Sequence, residues 1–375
     1  MRALPPAERM RALFLVQGEG RGHTTQALAL ADALRARGHE VAAAAVGTSA
    51  RRPRPAFLRR HLGAPVETFP SPSFAAGADG QIHLGATALA ALRHLPLLGD
   101  ALDRLDAVAA RVEPDVVVSF YEPTAGVWRA LRSPGVPLVA VAHQFMVEAP
   151  DYPTVPGQAG QRAAMRAFTR LAGWGADACL ALSLYPAVDP SPRHRTTPPL
   201  LRRALFERRG LAGDGSLLVY LMEPSRAGEL ARWSDRHPDV RVHCFSDAPP
   251  HAHSPALTFH APHPTRFLDH MARARGVVCT AGFESVSEAM WLGTPALMVP
   301  TPNHYEQRCN ALDAERAGAG LAAEGLALSA FLDFLDAARP DPAPFRAWVA
   351  QAEAAAVSTL EAVAGLRRAS ARLAA

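Results

Sequence analysis

The feature that most constrains this chain is an alternation of short apolar runs with helical patterns, which plays out once, stops at a cluster of prolines and starts again. In the first half Ala12 to Gln17 reads as a strand, His23 to Arg37 as a helix, and Val41 to Val46 as a second strand after Gly38. Strand, helix, strand requires a parallel sheet with helices on its faces, because a parallel neighbour is reached only by a crossover. Val66 to Phe69, Asp115 to Phe120, Leu138 to Ala142 and Ala178 to Leu182 continue the series. Between Pro186 and Leu200 the segment PAVDPSPRHRTTPPL carries five prolines, which excludes a stable helix or a central strand and marks a linker. The alternation then restarts, with strands Leu217 to Leu221, Val240 to Phe245, Gly276 to Thr280 and Ala296 to Val299. Helices Ala227 to Arg236, Thr265 to Arg273, Glu284 to Leu292 and Glu306 to Ala317 separate them. The expected class is α/β, with two doubly wound Rossmann-like domains. They take residues 1–190 and 191–343, and an Ala-rich helical end over 344–375 folds back across the first. A length of 375 residues exceeds what one hydrophobic core usually supports, which agrees with two domains.

Composition narrows the function classes. Hydrophobic residues at 49% and charged ones at 20% fit a soluble globular chain. A net charge of +4 and a pI near 9.2 raise nucleic acid as a partner, but all 39 basic residues are arginines spread along the chain, without the aromatic interleaving of an RNA binder. Nucleic acid is therefore not expected. The densest basic run, Arg51, Arg52, Arg54, Arg59 and Arg60, is either a solvated loop or a peripheral contact with anionic lipid. The four cysteines, Cys179, Cys244, Cys279 and Cys309, have no disulfide or Cys/His metal spacing, so a reduced compartment and no structural zinc are expected. No apolar run approaches the roughly 18 residues of a membrane span, and the expected location is the cytoplasm, at most the inner face of a membrane.

Three motifs carry chemistry. In QGEGRGH, Gln17 to His23, the glycines Gly18, Gly20 and Gly22 let the backbone turn closely around a ligand at a helix start. The third spaced glycine of a dinucleotide fingerprint is missing. His23 at the helix start is either a general base or a residue that caps and positions. In TAGFESVSEAMWLGTPALMVP, Thr280 to Pro300, a strand ends in a tight Ala281-Gly282 turn, and a helix opens with Phe283, Glu284, Ser285 and Ser287. Amides and hydroxyls at a positive helix end suit a diphosphate. Glu284 and Glu288 share a face, and a carboxylate there accepts both hydroxyls of a ribose; complementing the helix dipole is the competing role, better suited to Glu284. In NHYEQRCNA, Asn303 to Ala311, the side chains of Glu306, Gln307 and Asn310 either bond sugar hydroxyls or close a capping turn.

On these residues the chain resembles the bacterial glycosyltransferases that add N-acetylglucosamine to the lipid-linked peptidoglycan precursor. It looks still more like a group of prokaryotic relatives patterned GEGxGH, FEP and AGFES…E…LGTP…EQ…NA, present here at Gly18 to His23, Phe120 to Pro123 and Ala281 to Ala311. An inserted tyrosine splits the second pattern as FYEP. The resemblance implies a GT-B fold, a UDP-sugar as substrate and no metal or other cofactor. It assigns the diphosphate to Ala281, Gly282 and the helix start Phe283 to Ser285, the ribose to Glu288, and the sugar to Gln307 with Glu306 and Asn310. It assigns the base to backbone at Phe267 and Leu268. The glycine-rich phosphate loop of the peptidoglycan enzymes is replaced by LMEPSR, Leu221 to Arg226, with Ser225 and Arg226 as substitutes.

The implied reaction is an in-line attack of an acceptor hydroxyl on the anomeric carbon, inverting its configuration. Amides, a helix dipole and Arg226 neutralise the departing UDP. His23 takes the acceptor proton, Glu122 or Glu19 orients the imidazole or replaces it, and His143 is a further candidate. The acceptor is not legible; a lipid-linked or glycan hydroxyl is the expected class, with Ser71 to Leu84 on its side. Two other readings remain. A nucleotide-sugar 2-epimerase would need paired carboxylates directly after the turn, where Phe283 stands, and a non-catalytic sugar-nucleotide sensor would release no UDP.

Overall fold

The computed structural model describes residues 9–18, 21–49, 56–72, 84–220, 226–246, 254–337 and 340–374. The first unit runs β1 (Arg11–Gln17), α1 (Gly22–Ala36), β2 (Glu40–Thr48), α2 (Ala56–His61), β3 (Val66–Pro70), α3 (Leu84–Val112), β4 (Val116–Phe120), α4 (Pro123–Arg132), β5 (Leu138–Ala142), α5 (Ala159–Ala172), β6 (Ala178–Leu182) and β7 (His194–Thr197). Its sheet is parallel, ordered β3-β2-β1-β4-β5-β6-β7. The second unit runs α6 (Arg203–Phe206), β8 (Leu217–Tyr220), α7 (Ala227–Arg236), β9 (Val242–Phe245), β10 (Leu257–His260), α8 (Pro264–Arg273), β11 (Gly276–Cys279), α9 (Phe283–Leu292), β12 (Ala296–Met298), α10 (Tyr305–Arg316), β13 (Gly320–Ala322) and α11 (Leu328–Ala337). Its parallel sheet is ordered β10-β9-β8-β11-β12-β13. Then α12 (Ala343–Val349) and α13 (Ala352–Ala374) close the chain.

Side chains of β1 alternate between two cores, Phe14 and Val16 on one face, Leu13 and Leu15 on the other. A strand buried on both faces is what a parallel sheet covered by helices demands. The first of these cores is continuous from Leu30 of α1 through Val357 and Leu360 of α13 to Trp291 and Met298 of the second unit. His39 contributes a polar anchor to the same junction: the Met10 amide donates to its Nδ1 (3.2 Å), so its Nε2–H donates to Glu361 of α13 (2.9 Å).

Two differences from the sequence reading concern edges. β7 falls inside the proline-rich segment and adds to the first sheet, so that sheet runs past residue 190. Proline is tolerated there because β7 is an edge strand, and Pro198 and Pro199 follow it. β10 and β13, also edge strands of four and three residues, were not expected; strands so short show no periodicity.

Each sheet reverses its winding once, between β1 and β4 in the first unit and between β8 and β11 in the second. Ligands of doubly wound sheets sit beyond the carboxyl ends of the strands at such a reversal. At equivalent places after β4 and β11 the chain takes a left-handed conformation at non-glycine residues, Tyr121 (φ 55°) and Ala281 (φ 58°). Each costs about 1–2 kcal/mol, and such strain gathers where a site needs a sharp turn.

Candidate active site

On the first unit, the chain leaving β1 passes close to the end of β2. The Gly18 amide donates to the Gly47 carbonyl (3.0 Å), and a Cβ on Gly18 would stand 2.2 Å from that oxygen. Glu19 and Gly20 lie outside the described residues, and α1 opens at Gly22. His23 is buried and stacks on Tyr121 (5.5 Å between centroids), and its Nδ1 has no hydrogen-bond partner. Burial holds its pKa down at about 4, only partly offset by a side-chain contact from Gln26, so the ring is neutral at pH 7. Tyr121 is fixed in turn by its hydroxyl, 2.8 Å from Thr169 Oγ1.

Glu122, paired with His23 in the sequence reading, is fully buried as the N-cap of α4. It accepts from the Thr124 amide (2.9 Å) and the Ser71 hydroxyl (2.7 Å). Its carboxylate packs on Gly47, where a Cβ would lie 2.1 Å from Oε2. These contacts make it a cap that ties three strand ends together.

On the second unit, Ala281 makes the turn and Gly282 is the N-cap of α9 without any side-chain cap. A side chain at Gly282 would meet nothing within 4 Å, so the helix end faces open space. Ser285 is half-buried in the first turn. The Ser287 hydroxyl donates back to the Phe283 carbonyl (2.8 Å), which removes it from the expected phosphate set. Glu284 reaches the first unit: its Oε1 accepts from Gln26 Nε2 of α1 (2.6 Å), its Oε2 has no partner, and a Cβ on Gly22 would touch its Cγ at 3.2 Å. The amino ends of α1 and α9 therefore meet. Burial raises the Glu284 carboxyl to about 8, against the lowering effect of Gln26, with the Glu288 charge adding to the rise.

Glu288, expected at the ribose, is occupied by a partner from the chain itself. It is buried and takes a two-pronged ion pair from Arg202, Nε to Oε1 at 2.5 Å and Nη2 to Oε2 at 2.7 Å. A carboxylate this deep needs a counter-charge, and the segment joining the two units supplies it.

The sugar-side motif divides by helical face. Glu306 and Asn310, four apart on α10, turn to the first unit. Glu306 accepts from Gln144 Nε2 (2.9 Å), and burial lifts its carboxyl to about 7. Asn310 Oδ1 accepts from the Tyr152 hydroxyl (2.8 Å) and lies 3.1 Å from His143 Nε2, while its Nδ2 donates to the Ala281 carbonyl (3.2 Å). Gln307 folds back instead, accepting from the Thr301 amide (2.7 Å), the capping-turn alternative. His143 is no free base either. Its Nδ1–H donates to the Leu182 carbonyl (2.7 Å), and its ring stacks on Phe283 at 4.0 Å. It joins the end of β5 to the start of α9.

Arg226 is the half-buried N-cap residue of α7; Ser225 lies outside the described residues. Phe267 and Leu268 sit within α8 rather than in an open turn. The Phe267 amide is used by the His263 carbonyl (2.9 Å), the Phe267 ring packs against Tyr220 and Phe245, and Leu268 is buried. The Phe267 amide is therefore spent within the helix rather than open to a nucleobase.

The sequence reading missed Gln26, Gln144, Tyr152 and Arg202. Gln26 lies three residues after His23, one turn along the same face, and Gln144 follows His143, so adjacency was the available signal. Five buried polar atoms at this junction have no protein partner: Gln17 Nε2, His23 Nδ1, Gln26 Oε1, Gln144 Oε1 and Glu284 Oε2. They come from the end of β1, from α1, from the turn after β5 and from α9, and buried polar groups of this kind are satisfied by ordered water or by a ligand.

Two parallel-sheet units of Rossmann type, with the amino ends of α1 and α9 meeting between them, make a GT-B fold. Solved structures share that fold over nearly all of the chain. The glycosyltransferase SnogD from Streptomyces nogalater matches with a TM-score of 0.60, 20% identity and 95% and 99% of the two chains covered. The calicheamicin glycosyltransferase CalG4 matches at 0.61, 17%, 95% and 98%. The chain belongs to glycosyl transferase family 1, whose sequence profile matches residues 10–338. It is 30% identical over 339 residues, 83% of this chain and 84% of the other, to a Nocardioides UDP-N-acetylglucosamine–N-acetylmuramyl-(pentapeptide) pyrophosphoryl-undecaprenol N-acetylglucosamine transferase. The protein is thus an enzyme of sugar transfer. Among the described residues no helix is long and apolar enough to cross a membrane.

Proposed function

We propose that this enzyme moves a sugar from a UDP-sugar to a hydroxyl of a lipid-linked acceptor at the inner face of the membrane, in one inverting displacement without a catalytic metal. The observation that carries the reading is the set of unpartnered polar atoms where α1 and α9 meet end to end. Two positive helix ends with free amides suit a diphosphate leaving group. Glu284, raised to about 8, keeps its proton at pH 7 and so offers an O–H donor rather than a repelling charge. His23, neutral at the same pH, makes no well-formed hydrogen bond at Nδ1, has Gln26 beside it one turn along α1, and takes the acceptor proton. The UDP donor and the lipid-linked acceptor rest on the Nocardioides relative's substrate and on the sequence resemblance.

The test is UDP release measured with a panel of UDP-sugars, with and without polyprenyl-diphosphate-linked glycans, in EDTA. Acceptor-dependent release that survives EDTA is the expected result. Release abolished by EDTA and restored by manganese would overturn the metal-free displacement. Interconversion of UDP-sugars without acceptor would make the enzyme an epimerase.

A further inference from the structure

Six of the chain's fifteen histidines fall between His243 and His270. Three of them converge at the β10 edge of the second sheet: His243 from β9, His260 from the end of β10 and His270 from α8, which covers that face. The rings pack at centroid distances of 5.3 Å (His243–His260), 4.2 Å (His243–His270) and 4.9 Å (His260–His270). One nitrogen from each can be chosen so that all three lie within 4.8 Å of one another, and among the described residues this is the one group of its kind. We propose that these imidazoles hold one divalent transition-metal ion of the Zn²⁺ class, which staples the short edge strand β10 to β9 and α8 and stands beside Phe245 and Phe267.

One pair, His243 Nδ1 and His260 Nε2, is 3.1 Å apart. Two ligands of a tetrahedral zinc, each with a Zn–N bond of about 2.0–2.1 Å, stand about 3.3 Å apart, so this edge needs almost no movement. Without metal the same edge is an N–H···N hydrogen bond. The exposed Arg266 donates to His260 Nδ1 (3.0 Å), so His260 carries its proton on Nε2 and donates it to His243. On binding, that proton moves to Nδ1 of the same ring and Arg266 turns to solvent, so the ring stays neutral. The charges facing the cluster are mixed, with Asp214 and Asp269 favouring a cation and Arg241, Arg266 and Arg273 opposing it. Burial depresses the pKa of all three rings, which leaves them neutral and ready to ligate at pH 7. Imidazole donors suit zinc, copper or nickel rather than magnesium or calcium, and three protein ligands leave a fourth position for water. No structural zinc is expected from the cysteines, which lack CxxC or Cys/His spacing; these ligands are imidazoles alone, from three separate elements.

The test is calorimetric titration of the chelator-treated full-length protein with Zn²⁺, alongside the visible spectrum of the Co²⁺ form and the Tm with and without metal. One equivalent is expected to bind and raise Tm, with the intense bands of tetrahedral Co²⁺. Affinity should fall at least about tenfold in both His260→Gln and His270→Gln and stay unchanged in the surface control His61→Gln. The absence of saturable binding in the wild type, or one equivalent retained in both ligand variants, would overturn the site. These readouts do not depend on sugar transfer, so their failure leaves the proposed activity untouched.

Discussion

His23 combines a neutral ring, a nitrogen without a well-formed hydrogen bond and a fixed stacking partner, the features on which its proposed role as proton acceptor rests. His23→Ala should lower kcat by at least about 10²-fold with UDP affinity nearly intact, measured by steady-state kinetics and calorimetry. Because the base must be unprotonated and its pKa is held at about 4, kcat/KM should stay level from pH 7 down to about 5. An acid limb centred near 6.5 would place an exposed imidazole in the role instead. Glu284 gives the opposite sign in stability. Its folded pKa of about 8 lies above the usual carboxyl value, so its contribution is complete below about pH 4.5 and is lost as pH rises through 8. Glu284→Gln, isosteric with the protonated acid, should flatten the fall of Tm across that window; an unaltered pH profile would show the carboxyl to be ionised throughout. The place of His23 at the start of α1 was legible in the sequence because glycines before a helix mark a tight turn. Gln26 and Gln144 were not, since a glutamine on a helix face reads as surface until another unit covers it.

Among the elements, α9 carries both the open N-terminus and the deepest ion pair. Its amino end was legible from the strand, the Ala281-Gly282 turn and the small residues that follow. The partner of Glu288 was not, because Arg202 is 86 residues away in the sequence. Removing one member of such a pair leaves a charge buried without compensation, at a cost of about 3–5 kcal/mol, toward the lower end here because Arg202 retains some exposure. Glu288→Gln and Arg202→Met should each lower stability by about 3 kcal/mol in urea unfolding, and the double variant Arg202→Met/Glu288→Leu should lose less than the two singles summed. A tenfold loss of UDP affinity in Glu288→Gln at unchanged stability would return that residue to the ribose. The tyrosine that splits FYEP, a mere insertion by sequence, occupies the left-handed turn after β4 equivalent to Ala281 after β11.

At the scale of the whole molecule, α13 belongs to the end of the chain but packs on the first unit, with Val357 and Leu360 in the core that holds Leu30 of α1. Leu360→Ala, at a fully buried position, should cost about 2–5 kcal/mol in urea unfolding, whereas an effect below about 1 kcal/mol would mean that this crossing contributes little. What the sequence by itself determined is local: backbone sterics, apolar periodicity, glycine and proline set the strands, the helices, the ligand turns and hence the doubled α/β class. What only the tertiary structure decided is the partner of each buried polar group. Gln26 with Glu284, Tyr152 and His143 with Asn310, Arg202 with Glu288, and the three imidazoles on β9, β10 and α8 are pairings across separate elements. The physical reason is that a charge or amide is forced to find a partner only once folding has taken water from it, and which group then stands beside it depends on how distant elements dock rather than on neighbours in the chain.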